Sequence, residues 1–210
     1  MPRAREFDTE AAVGAAMQLF WERGYAATSV DDLVARLGIG RGSLYAAFGS
    51  KQGLYLRALD RYRCEQTGGA MAALEAGDAP LPATLRRLFE AIADDAVRAA
   101  GARTGRASRP AARSGVDPPG CFMVNATTER ARCDADVAAR VRENAGAMEA
   151  AFERAVRRAQ AAGDVAPAKD ARALARFLVM AIQGLRVAAT ATPDRAALRD
   201  MIDVTLAALT

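Results

Sequence analysis

The chain has 210 residues, 51% apolar and 26% charged, with 29 Lys and Arg against 25 Asp and Glu for a formal net charge of +4. That suffices to bury a core as one large or two modest domains, while the absence of any histidine excludes Ser-His, Cys-His and histidine-zinc hydrolytic chemistry. The sequence reads as having no apolar run of membrane-spanning length and no hydrophobic leader in MPRAREFDTE, so a soluble, cytoplasmic protein is expected.

A polar arm with Arg3 and Arg5 precedes a first helix, predicted from about Asp8 to Arg23, with Ala12, Ala16, Leu19 and Phe20 on one face and Gly24 as its stop. The stretch TSVDDLVARLGIGRGSLYAAFGSK, Thr28 to Lys51, then reads as two short helices folded across a tight turn. In the first, Val30, Leu33, Val34 and Leu37 form one apolar stripe. Thr28 is the expected cap, with Asp31 three residues on as its capping-box acid. Gly38-Ile39-Gly40 makes the turn: the glycines supply positive-φ freedom and Ile39 plugs the angle between the helices.

The second short helix, Arg41 to about Phe48, buries Leu44 and Phe48 and leaves Arg41, Gly42, Ser43 and Tyr45 outward. A small, polar, cationic first turn suits insertion into the DNA major groove, where a bulky side chain would hold the backbone off the base edges. Ser50 caps the next helix, and Lys51 at its N-terminus stands where a phosphate meets both an ammonium and free amides. Thr28 and Ser29, at the entry to the preceding helix, complete the candidate DNA contacts. On spacing alone, an ordinary helical hairpin whose glycine turn has no partner remains an alternative.

The run LGIGRGSLYAAFGSKQGLY closely resembles the turn, recognition helix and following helix start of the TetR family of bacterial regulators, with Tyr45, Phe48 and Lys51 on the signature positions. The specific resemblance covers roughly Arg5 to Leu59. It implies an all-α chain with an N-terminal three-helix helix-turn-helix DNA-binding domain at 1–55. The remainder, 56–210, becomes a C-terminal helical ligand-binding and dimerisation domain. It also implies that Tyr25 lies in the core under the turn, that Arg3 and Arg5 reach phosphate or the minor groove, and that a fourth helix, Lys51 to about Cys64, links the domains and transmits a change of angle.

Further along, Gly68-Gly69 and Gly77-Asp78-Ala79-Pro80 interrupt the periodicity. A fifth helix is predicted from about Pro82 to Ala100, followed at about 101–119 by a flexible, arginine-rich loop without apolar period. Such a loop fits a solvated segment, a lid over an anionic ligand, or an accessory DNA contact. A sixth helix opens at GCFMVNA, a segment similar to the inner wall of many TetR-like ligand domains. Asn125 and Glu129, one turn apart, line either a cavity edge or, on our preferred reading, an outer face.

Asp134 caps a long seventh helix carrying Val137, Val141, Met148, Phe152 and Val156 and ended by Gly163. An eighth runs from about Asp170 to Thr190, and a ninth opens with Thr192 as cap and Pro193 at its first position. Both have wide apolar faces, which fits core on one side and a second subunit on the other. A homodimer would place two recognition helices on an inverted-repeat, double-stranded operator. By resemblance, a small-molecule effector enters a cavity in the C-terminal domain. Phe89, Ile92, Phe122, Met148, Phe152, Phe177 and Met180 are the apolar candidates for its lining, with Asn125 and Gln183 polar.

Charge is unevenly spread. Residues 1–63 hold nine Lys/Arg and seven Asp/Glu, whereas residues 101–115 hold four and none. DNA affinity must therefore come from placed contacts rather than from a general positive field. Cys64, Cys121 and Cys133 form no CxxC pair, so neither a metal nor another cofactor is expected. Cys121, at a helix start beside the arginine-rich loop, is the candidate redox thiol and Cys133 a weaker one. No phosphate-cradling glycine loop is present and Lys51 and Lys169 are the only lysines, which argues against an enzyme. The expected function is transcriptional repression relieved by a small molecule. A thiol-based redox sensor and a helical adaptor without DNA binding are the alternatives.

Overall fold

The computed structural model describes residues 7–104 and 120–209, and the described residues are helical with no strand. The helices are α1 (Thr9–Arg23), α2 (Val30–Leu37), α3 (Arg41–Phe48), α4 (Lys51–Tyr62), α5 (Gly68–Ala76), α6 (Leu81–Thr104), α7 (Phe122–Glu129), α8 (Ala135–Ala162), α9 (Ala171–Ala191) and α10 (Arg195–Ala207). The chain divides into two compact units, one of residues up to Gln66 together with Phe122–Arg142, the other of Thr67–Cys121 with Glu143–Thr210.

The first unit is built on α1 and α4. Their facing stripes bury Ala12, Val13, Ala16, Met17, Phe20 and Trp21 against Leu54, Tyr55, Ala58, Leu59 and Tyr62. Gly14 has no side chain where α4 crosses, so the Arg61 guanidinium lies over it and donates to the Glu10 carbonyl at 2.6 Å. Rings then fill the centre edge to face: Phe20 on Tyr55 and Trp21 on Tyr62, each at 5.0 Å, with Phe122 of α7 at 5.5 Å from Tyr55 and 5.8 Å from Tyr62. Each such pair contributes about 0.5–1.5 kcal/mol beyond its burial. Phe122 thus belongs to this unit, by burial of an apolar helix face that the chain delivers from far along the sequence.

In the second unit α6, α9 and α10 pack together, and a single apolar cluster joins Leu85 and Phe89 of α6 to Phe152 and Val156 of α8, Leu178 and Ile182 of α9, and Leu198 and Ile202 of α10. By length and composition α9 is apolar enough to cross a membrane, contrary to the sequence expectation, and only 28% of its most apolar stretch is buried. Its buried stripe, Ala175, Leu178, Ile182, Leu185 and Ala189, is nevertheless a core stripe of this unit. Arg172 and Arg176 near its start both reach Glu149, at 3.0 and 3.1 Å, and Arg186 towards its end donates to the Gly120 carbonyl. The opposite sides of α9 and α10 expose Met180, Val187, Met201 and Val204.

Several element ends differ from the sequence reading. Ser29, not Thr28, caps α2, and its box partner is Asp32 rather than Asp31. Asp194, not Thr192, caps α10. Both corrections have one cause: the residue with an extended backbone immediately before the first turn is the one whose side chain reaches the free amides. The interruption expected at Gly68-Gly69 is absent, because a π-helical turn over Arg63–Thr67 absorbs the change of period and α5 starts at Gly68. The sequence boundary at 55/56 falls inside α4, yet α4 stays whole in the first unit because Tyr55, Leu59 and Tyr62 are all in its core.

Candidate nucleic-acid interface

Two short helices with little of their own to bury need their entry, turn and exit set by local bonds. At the entry, the Ser29 hydroxyl accepts from the Asp32 amide at 3.0 Å while the Asp32 carboxylate accepts from the Ser29 amide at 2.8 Å. The Ser29 hydroxyl also donates to the Asp32 carboxylate at 2.6 Å, and this bond together with that from the Ser29 amide, with Arg23 adding a weaker attraction, holds the Asp32 carboxyl below the usual range. At the turn, Gly38 takes φ 65°, the left-handed conformation an L side chain resists, whereas Gly40 is extended and serves as N-cap of α3. Leu33 of α2 and Leu44 of α3 are each fully buried, and Phe48 is nearly so. The exit is equally tight: a Cβ on Gly53 would stand 2.1 Å from the Phe48 carbonyl oxygen.

With Leu44 and Phe48 turned inward, α3 leaves Arg41, Gly42 and Tyr45 exposed, with Tyr45 at 45%, and Ser43 half-buried. Nothing lies within 4 Å of where a Gly42 side chain would start. Arg41 Nε donates to Asp31 Oδ1 at 3.1 Å across the two helices, both groups remaining open to solvent. Ser29 is exposed but committed to its cap. Thr28 is withdrawn from the candidate contacts: it is fully buried and its hydroxyl donates to the Gly24 carbonyl at 2.7 Å. Arg3 and Arg5 lie outside the described residues, as do residues 105–119 of the arginine-rich loop.

Lys51 is half-buried, its ammonium 4.1 Å over the Tyr25 ring. The Arg130 guanidinium approaches the same ring at 4.4 Å. Burial pushes the Lys51 pKa down and Arg130 adds to this, against the attraction of Glu129 and Asp32.

Sequence reasoning missed what holds this corner. The Glu129 carboxylate at the end of α7 accepts from the amides of Tyr25 at 2.9 Å and Ala26 at 2.7 Å, bridging 104 and 103 residues of sequence. It is neither cavity edge nor idle surface. Nearby, Arg130 and Gln52 both donate to Asp134 Oδ2, at 2.7 and 3.0 Å, and Asp134 Oδ1 caps α8 through the Asp136 and Val137 amides. Arg130 and Asp134 at i, i+4 were a readable pair; the amide acceptors were not.

The nominated ligand residues divide. Phe89 and Phe152 are buried in the core of the second unit, with Ile92, Met148 and Phe177 packed against it and Gln183 half-buried. Met180 is 61% exposed, so it is withdrawn as an interior lining residue: it lies on the side of α9 opposite the buried stripe. Phe122 and Asn125 belong to the first unit. A cavity of about 160 Å³ in the second unit is lined by Leu74, Leu81, Thr84, Ala155, Arg158 and Asp164 among others, and by none of the nominated residues. Asn144, which the sequence reading passed over, is buried in that unit with Oδ1 unpartnered and Nδ2 reaching only Met148 Sδ, at 3.7 Å. Cys121 is half-buried immediately before α7, and Cys64 and Cys133 are exposed. Among the described residues no cluster of three acids or cysteines could hold a metal.

Residues 13–58 match the model described as bacterial regulatory proteins, tetR family, and residues 105–205 match that of a tetracyclin repressor-like C-terminal domain. The chain is 33% identical over 187 residues to the HTH-type transcriptional repressor ComR of Escherichia coli (strain K12), covering 89% of this chain and 81% of that one. It is 30% identical over all 210 residues, and the whole of both chains, to the uncharacterized HTH-type transcriptional regulator YezE of Bacillus subtilis (strain 168). Among solved structures, a cysteine mutant of the TetR family transcriptional regulator CifR complexed with 26bp double-strand operator DNA superposes with TM-score 0.78 at 29% identity, over 99% of this chain and 100% of that one. These relatives are regulators, not enzymes.

Proposed function

The chain belongs to the TetR family of bacterial transcriptional regulators, and on that premise we propose that it is a cytoplasmic homodimeric repressor that holds a palindromic operator through α3 and releases it on binding a small molecule. The observation that carries the reading is the face of α3 itself. Arg41, Gly42 and Tyr45 are exposed while Leu44 and Phe48 anchor the helix from behind, so a short cationic turn without bulk meets the base edges. Exposed Met180, Val187, Met201 and Val204 support pairing of α9 and α10 with their copies. Asn144 supports an effector with a hydrogen-bond donor, since a buried acceptor without a partner carries an unrelieved desolvation cost.

The test is fluorescence anisotropy of the full chain on a labelled duplex from its own upstream region, at two salt concentrations. Salt-sensitive binding with two chains per duplex is expected. A Val204→Glu chain should elute as a monomer and bind far more weakly; a dimer unaffected by Val204→Glu would contradict the assigned pairing face.

A second reading rests on the place of Cys121, half-buried just ahead of the helix that ends in Glu129. If its thiol is the sensor, hydrogen peroxide lowers operator affinity, dithiothreitol restores it, and Cys121→Ser is indifferent to both.

A further inference from the structure

The segment Phe122–Arg142 folds with the helix-turn-helix unit, although it lies inside the stretch matched as a C-terminal domain. Its buried residues, Phe122, Met123, Ala126 and Val137, anchor it there, and its polar residues converge on the corner from which α2 and α4 depart.

We propose that Glu129 and Asp134 are positioning residues for operator reading: without touching DNA, they fix the α1–α2 loop and the start of α4, and so the attitude of α3 and of Lys51. The inference rests on the operator reading above. Glu129 takes the Tyr25 and Ala26 amides as a two-pronged acceptor. Gly24 beside them has room for this because it lacks a Cβ, which would stand 3.1 Å from Glu129 Oε2. The Tyr25 ring, held by its own amide, is the surface on which the Lys51 ammonium and the Arg130 guanidinium rest. Asp134 ties Arg130 to Gln52, the residue after Lys51. One carboxylate therefore sets the loop entering α2, and the other sets the first turn of α4, with α3 strung between them.

The geometry also separates positioning from folding. Glu129 is solvent-exposed, so water can take over the two amides when the carboxylate is gone, and the buried rings keep the unit folded. What is lost is the charge-assisted, directional hold on the loop. A group placed about one ångström off can cost a site on the order of 100-fold, far more than its own bond contributes.

The test is operator affinity of full-length Glu129→Ala and Glu129→Gln, measured by anisotropy well below the melting temperature of each, with amide hydrogen exchange at Tyr25 and Ala26 read on the same chains. Glu129→Ala is expected to bind roughly tenfold or more weakly, and Glu129→Gln, which keeps a single carbonyl acceptor, to fall between. The dependence of log affinity on log salt should be unchanged, since no phosphate contact is removed. Exchange should quicken at those two amides. Wild-type affinity in folded Glu129→Ala overturns the inference; should that chain fail to fold, Glu129→Gln with wild-type affinity and quickened exchange overturns it equally. A wild-type chain that ignores every operator duplex contradicts the DNA reading itself and removes this inference with it.

Discussion

Arg41 at the start of α3 donates through Nε to Asp31 of α2 at 3.1 Å, so the cation nearest the expected groove is held by an acid one helix back. Both side chains are more than half exposed, and an ion pair of that kind contributes little to stability, about 0–1 kcal/mol. Its consequence lies in the electrostatics of approach. Asp31→Asn should leave the melting temperature nearly unchanged and tighten operator binding roughly threefold, with a larger gain at low salt. Anisotropy titrations of the two chains at two ionic strengths check this, and weaker binding would show that Asp31 aims Arg41 rather than restraining it.

Lys51 carries a different expectation. If its ammonium leaves the Tyr25 ring for a phosphate, Lys51→Ala weakens binding to every sequence alike and lowers the log affinity against log salt slope by about 0.9 per subunit, or about 1.8 for the dimer. An unchanged slope with weakened binding would assign Lys51 to holding Tyr25 alone.

Asp134 gives the acid limb of stability. Its burial pushes the carboxyl pKa up, but the hydrogen bonds from Arg130, Val137 and Asp136 outweigh that, and the net position is below the usual carboxylate value. A folded-state pKa below the unfolded one means that the unfolded chain binds the proton more readily. The stabilisation is therefore complete above the ordinary value, near pH 4, and is lost as pH falls through the lower folded one. Melting curves of wild type and Asp134→Asn should differ by a constant amount at neutral pH and converge below about pH 4; a difference that grows on acidification would contradict the assignment.

Gly53 is a steric prediction. A methyl group there meets the Phe48 backbone oxygen at 2.1 Å, which no rotamer change relieves. Gly53→Ala should cost at least the ~1–3 kcal/mol typical of overpacking and loosen the α3–α4 turn, seen as a lowered denaturation midpoint.

How much of this was legible follows from the range of each interaction. The α3 boundaries, the burial of Leu44 and Phe48 and the caps Ser50 and Asp134 follow from spacings of a few residues, and the sequence carries them. Thr28 misled because two adjacent hydroxyl residues both suit a cap, and the choice between them depends on backbone angles set by the Gly24 turn. Met180 misled because the apolar arc of α9 is wide, leaving only the side of Arg172, Arg176, Gln183 and Arg186 polar, so periodicity does not say which part of that arc faces the core. The Glu129 clasp and the membership of Phe122 in the first unit join residues some sixty to one hundred positions apart, and no local pattern encodes such pairs. The candidate site thus divides between a DNA-facing surface written locally in α3 and a support written far downstream.

Gly42 offers the most direct measurement of the central claim that α3 reads DNA at close approach. Open space surrounds its Cα, so Gly42→Leu should fold as the wild type does, with helix stability raised by about 0.5–1 kcal/mol. Anisotropy on the operator duplex, beside a melting curve of the same sample, should show an equal or higher melting temperature and operator binding reduced at least a hundredfold. Operator affinity equal to wild type in a folded Gly42→Leu chain would mean that α3 does not enter the groove.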